Sequence, residues 1–144
     1  RWRPTSRQSL EARVGDRFHV YVLSDTNDPA IAADEDAQFT AFAAAWAGLI
    51  PLTYRRREVN TGFKAGNVRD FCERWGHLHE LAVTLDADSF MTADAVLRLV
   101  RVMQANPRLG ILQGLVVGMP STSAFALSAG SIGGSDVKLV DCSM

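Results

Sequence analysis

Four short β-prone runs alternate with three stretches whose apolar residues recur at helical spacing, and this order leaves few folds open. Residues 18–23, Phe-His-Val-Tyr-Val-Leu, are nearly continuous in apolar and β-prone side chains. That is how a parallel strand covered on both faces reads. Residues 51–56 form a shorter strand running into a basic loop, residues 81–85 a second buried strand, and residues 110–117 a further apolar one. Strand, helix, strand, helix, strand, helix, strand predicts an α/β fold with an open, mainly parallel sheet and flanking helices.

The helix boundaries carry their own chemistry. Asp28 can cap a helix whose first position is Pro29. Phe39, Phe42, Ala43 and Trp46 follow at helical spacing, with Asp34, Glu35 and Asp36 near the start, where the helix dipole favours acids. From Gly66, the residues Val68, Phe71, Cys72 and Trp75 repeat on one face until Gly76 closes the helix. Thr92 caps a third helix carrying Val96, Leu99, Val100 and Met103, which stops at Asn106-Pro107. From Ser128 onward small residues without periodicity read as loop or tail, so the expected organisation is one α/β domain over residues 1–127 followed by a tail over 128–144.

Bulk properties exclude several classes. The 144 residues carry 47% hydrophobic and 22% charged side chains, an ordinary globular balance, and are enough for one domain with a core. A net charge of -1 gives no global field to recruit nucleic acid or an anionic membrane. No apolar run approaches the roughly 20 residues that span a bilayer. Cys72 lies on a helical apolar stripe and reads as a buried free thiol; Cys142 is far from it and outside any metal-ligand spacing. That usage points to a reducing compartment. The chain starts at Arg1 without an initiator Met, as expected of a piece of a larger protein.

In an open α/β sheet, ligands gather beyond the carboxyl ends of the strands. Asp25 follows the first strand, and Asp86 and Asp88 follow the third. Side chains at i and i+2 of extended chain share a face, so Asp86 and Asp88 can converge. Two close carboxylates repel unless a cation sits between them, and Mg²⁺ or Mn²⁺ takes one or two carboxylates plus substrate phosphate oxygens. The same pair could instead cap the next turn, and both readings stay open. Asp25 alone reads as a turn residue, because Ser24, Thr26 and Asn27 also supply turn chemistry. Gly62 and Gly66 bracket Lys64 at a helix entrance, an arrangement that favours a diphosphate. Arg55, Arg56 and Arg57 read individually as a solvated face, His77 and His79 as surface residues, and Trp46 and Trp75 as core.

Taken together, four motifs resemble those of the processive family 2 glycosyltransferases. They are Tyr54-Arg55-Arg56-Arg57, Asn60-x-Gly62-x-Lys64-Ala65-Gly66-Asn67, Phe71-Cys72-x-Arg74-Trp75-Gly76 and Leu85-Asp86-Ala87-Asp88-Ser89. Residues 22–26 and 113–125 extend the likeness, which covers about residues 16–126. Within that family the likeness is to the membrane enzymes that build the β-glucan backbone of osmoregulated periplasmic glucans. The resemblance implies a GT-A fold, a UDP-glucose donor, a divalent metal, a glucan acceptor and inverting transfer at the cytoplasmic face of a bacterial inner membrane. It places Asp25 at the uridine end, Lys64 on the diphosphate side, and Asp86 and Asp88 around metal and donor.

The family's first strand, its later acidic motif with the general base, its acceptor motif and its membrane helices have no counterpart in these 144 residues, and residues 126–144 depart from the pattern. Inverting transfer needs a base on the acceptor hydroxyl, and no residue here fills that role. The expectation is a donor-binding fragment, inactive alone. Two alternatives use the same features: a haloacid-dehalogenase-like phosphotransferase, whose paired Asp residues follow a buried strand, and a non-catalytic nucleotide-binding α/β module.

Overall fold

Strand β1 (Val20–Ser24) pairs in parallel with β2 (Leu52–Arg56), in register from Val20↔Leu52 to Ser24↔Arg56. The computed structural model describes residues 17–87, 89 and 91–114, together with the backbone of 138–141. The chain divides into two compact units, Arg1–Trp75 and Gly76–Met144, each described by itself.

In the first unit, the period-2 alternation of a strand decides which helix each side chain meets. Helix α1 (Pro29–Ala45) meets the face carrying Ser24, Tyr54 and Arg56. Ser24 Oγ and Tyr54 Oη both donate to Glu35 Oε2, at 2.6 and 3.0 Å. The Phe39 and Tyr54 ring centroids are 5.3 Å apart, and Arg56 pairs with Asp36 at 3.7 Å. Helix α2 (Phe63–Trp75) meets the opposite face, where Tyr21 lies 5.0 Å from both the Phe71 and Trp75 rings and Arg55 reaches Asn67 and Asp70. One helix on each face of a parallel pair is the α/β arrangement that the sequence pattern implies.

The caps form as the residues dictate. Asp28 Oδ1 accepts from the Ala30 and Ile31 N–H groups at 2.8 and 3.3 Å, with Pro29 opening the helix. Replacing Asp28 by Ala removes both bonds and is expected to cost about 1 kcal/mol; urea unfolding of the two chains measures it. The acids Asp34, Glu35 and Asp36 sit beyond the first turn of α1 and are held by side-chain partners instead: Gln38, Ser24 with Tyr54, and Arg56.

Helix α2 differs from the sequence reading in two ways. It starts at Phe63, three residues before Gly66. Its buried face runs through Gly66 and Phe71 and includes the polar Asn67 and Asp70, which serve Arg55. Each residue advances about 100° around a helix, so Cys72 turns away and is an exposed free thiol rather than a buried one. Val20 and Val22 remain 36% and 38% exposed, less covered than a two-sided strand implies.

The second unit begins with a 3₁₀ turn at Gly76–Leu78, followed by β3 (Leu81–Thr84), α3 (Ala93–Ala105) and β4 (Ile111–Gln113). Thr92 Oγ1 accepts from the Ala95 N–H at 3.2 Å, and Met103 is the buried anchor of α3. β5 (Lys138–Asp141) pairs antiparallel with both β3 and β4, giving the order β3-β5-β4. β3 and β4 therefore run in the same direction, with β5 inserted between them. β5 lies within the stretch the sequence pattern reads as tail. Among the described residues no helix is long and apolar enough to cross a membrane.

Candidate functional site

The carboxyl end of β1 delivers Asp25 to a point where four segments meet. Arg57, just past β2, grips its carboxylate with both prongs: Nε to Oδ1 at 2.7 Å and Nη2 to Oδ2 at 2.6 Å. Arg55 Nη1 stands 3.9 Å from Oδ1. Asn60 Nδ2 donates to the Asp25 backbone carbonyl and, at 3.3 Å, to Asn27 Oδ1. Asn67 Nδ2 donates to the Leu23 carbonyl at 3.4 Å, joining α2 to the strand below.

These contacts set the charge state. The paired hydrogen bonds from Arg57 hold the Asp25 carboxyl below its ordinary 3.8, against the opposing effect of burial. A carboxylate lowered on folding contributes stability above that ordinary value, and the contribution is lost as pH falls through the lowered folded value. Acid should therefore weaken the β1–β2 unit only below the normal carboxylate range, and Asp25→Asn should flatten that part of the profile. Urea midpoints followed from about pH 5 to about pH 2.5 test this; parallel profiles for the two chains would refute it.

The arginines depart from the reading of a solvated face. Arg55 is buried, at 8% exposure, and donates from Nη2 to Asn67 Oδ1 at 2.6 Å while Nε lies 3.1 Å from Asp70 Oδ2. Asp70 is shared with Arg74 at 3.0 Å. Arg57 is committed to Asp25; only Arg56 is a surface cation, on the α1 side. The sequence does contain one sign of this: Asn67 and Asp70 interrupt the inner face of an otherwise apolar helix, where a polar side chain needs a buried partner.

Lys64 is exposed in the first turn of α2. The turn before it is left-handed at two successive residues, Gly62 at φ 75° and Phe63 at φ 48°. Positive φ is uncommon for an aromatic residue, and the Phe63 ring is 83% exposed, so packing does not enforce it. Hydrogen bonds hold it instead: Arg57 Nη1 and Nη2 donate to the carbonyls of Thr61 and Phe63, each at 3.0 Å, and the Phe63 N–H donates to the Asn60 carbonyl at 3.3 Å. Gly66 closes the same turn, donating to the Gly62 carbonyl at 2.8 Å. A Cβ at Gly66 would lie 1.9 Å from the Thr61 carbonyl oxygen, so only glycine fits. Asp25 and the Lys64 turn are thereby brought together, and Arg57 and Asn60, which the sequence reading left out of the site, do the joining.

In the second unit Asp86 is half-buried just beyond β3, and its carbonyl accepts from the Ser89 N–H at 2.9 Å, closing a tight turn. Asp88 lies outside the described residues. Among the described residues no three His, Cys, Asp or Glu side chains group as a metal site. A hard divalent ion that shares its shell with phosphate oxygens needs only one or two carboxylates, and of this pair only Asp86 is among the described residues. His77 is exposed in the 3₁₀ turn, as expected of a surface residue, whereas His79, just beyond it, is half-buried.

No protein-family model matches the sequence, and no solved structure matches it. Curated relatives do. The chain is 45% identical over 98 residues to a protein of Pseudomonas paraeruginosa, 68% of this chain and 11% of that protein. It is 45% identical over 98 residues to one from Dickeya dadantii, covering 12% of it, and 44% identical over 113 residues to one from Cereibacter sphaeroides, 78% of this chain and 19% of that protein. All three carry the name glucans biosynthesis glucosyltransferase H. The chain spans between a tenth and a fifth of their length.

Proposed function

We infer that this chain, a homologue of one segment of the glucans biosynthesis glucosyltransferase H proteins, is the donor-binding part of a glucosyltransferase. The observation that carries this reading is the union of Asp25, at the carboxyl end of a parallel strand, with the Lys64 turn of the following helix. A nucleotide sugar presents a hydrogen-bonding base at one end and a diphosphate at the other. Asp25 offers acceptors to the first, and Lys64 with the start of α2 offers positive charge to the second.

The donor is UDP-glucose, and the product is the β-glucan backbone of osmoregulated periplasmic glucans, made at the cytoplasmic face of the inner membrane by the longer protein. Asp86 and Asp88 would hold a Mg²⁺ or Mn²⁺ ion, which when bound neutralises charge on the diphosphate as UDP departs. The glucan acceptor and the base that deprotonates it belong to the longer protein, so the 144-residue chain binds donor without turning it over.

Calorimetric titration of UDP into the chain, with and without Mn²⁺, tests the reading. Wild type should bind more tightly with metal, Asp86→Asn and Asp88→Asn should abolish that metal effect, and Asp25→Asn should weaken binding under both conditions. Binding indifferent to metal and to all three substitutions would refute the donor site.

A further inference from the structure

We propose that Arg57 is the positioning residue of this site: its single guanidinium sets the spacing between Asp25 and the Lys64 turn. This rests on the donor-site reading above and adds to it a residue that touches no donor atom.

The geometry is specific to a guanidinium. Four of its hydrogen bonds point to two separate segments: two to the Asp25 carboxylate, and one each to the Thr61 and Phe63 carbonyls. Asp25 and Arg57 are 32 residues apart in the chain, and the two carbonyls belong to the turn that leads into α2. The planar fork fixes all these acceptors in one plane at once, which a flexible ammonium cannot do. The left-handed Phe63 is the cost of that arrangement. A non-glycine residue in this region persists only where its surroundings over-determine it, and at Phe63, whose ring is exposed, that is done by hydrogen bonds: its N–H donates to the Asn60 carbonyl at 3.3 Å and its carbonyl accepts from Arg57 at 3.0 Å. The backbone of β2 feeds Arg57 into place, because its N–H donates to the Ser24 carbonyl at 3.1 Å and so continues the β1–β2 pairing by one residue. Movement at the end of β1 is in this way passed to the turn that carries Lys64.

Charge alone and fork geometry make opposite forecasts for Arg57→Lys. Lysine keeps the positive charge beside Asp25 but cannot also hold two carbonyls. The affinity of the 144-residue chain for UDP is expected to fall on the order of tenfold or more in both Arg57→Lys and Arg57→Ala. Low, non-denaturing guanidinium chloride should restore binding to Arg57→Ala and not to Arg57→Lys. Arg56→Ala, which removes the exposed cation paired to Asp36, is the control and should bind as wild type. Amide NMR signals of residues 61–65 should shift in both Arg57 variants without nucleotide and return in Arg57→Ala with guanidinium; the remaining signals report whether each variant is folded.

If wild type and Asp25→Asn show the expected difference but Arg57→Lys binds UDP as wild type does, the positioning role is overturned and the donor site stands. Unchanged signals at residues 61–65 in both Arg57 variants overturn it as well. If wild type does not bind UDP, the donor site itself fails and the positioning role falls with it.

Discussion

Gly66→Ala is expected to destabilise the first unit by about 3 kcal/mol or more, at the upper end of what overpacking costs. Helix propensity alone forecasts the reverse, since alanine is favoured over glycine by about 1 kcal/mol inside a helix. The clash decides the sign. The added methyl would sit 1.9 Å from the Thr61 carbonyl oxygen and 2.9 Å from its carbon, both backbone atoms, so no rotamer relieves it. The same oxygen accepts from Arg57, so displacing it also loosens the grip on Asp25. Urea unfolding measures the stability change, and a UDP titration should show binding weakened on the order of a hundredfold. A variant as stable as wild type would mean that Thr61 does not approach Gly66 as described.

Arg55→Ala should give the second largest loss. Breaking a buried ion pair typically costs about 3–5 kcal/mol, because the remaining charge is left in a poorly solvated place. Here the partners are partly provided for: Asp70 keeps Arg74 at 3.0 Å, and Asp25 keeps Arg57. The loss is therefore expected near the lower figure, about 3 kcal/mol. It includes the two bonds to Asn67, whose own amide reaches back to the Leu23 carbonyl. Arg56→Ala, one residue away on the opposite face, breaks an exposed pair and should change stability by less than about 1 kcal/mol. Chemical denaturation of the two variants side by side checks the contrast; similar losses would show that strand alternation does not sort these arginines.

Much of this architecture was legible in the residues. Asp28 with Pro29, and Thr92 with Asn106-Pro107, mark helix ends by local chemistry that acts within a few residues. The strands at 20–24, 52–56 and 81–84 follow from β-prone runs of the right length. Arg55 and Arg57 were not legible, because what buries them is the pairing of β1 with β2, and their side-chain partners lie 12 to 32 residues away in sequence. A cation in a short strand looks solvated until the carboxylate opposite is known. Cys72 misled for a related reason: apolar spacing placed it inward, but Asn67 and Asp70, drawn in by Arg55, rotate the buried face away from it. At Phe63 the left-handed turn had one sequence sign, the flanking glycine at 62, yet the aromatic itself argued for ordinary backbone. β5 escaped because a four-residue strand in a small-residue stretch has too little pattern to register.

Amide chemical-shift mapping with UDP-glucose in the presence of Mg²⁺ tests the donor site at Asp25 and the Lys64 turn. The largest perturbations should fall on residues 24–27 and 60–66, with a second group at residues 86–89. Saturable perturbations confined elsewhere, or none at millimolar UDP-glucose, would contradict it.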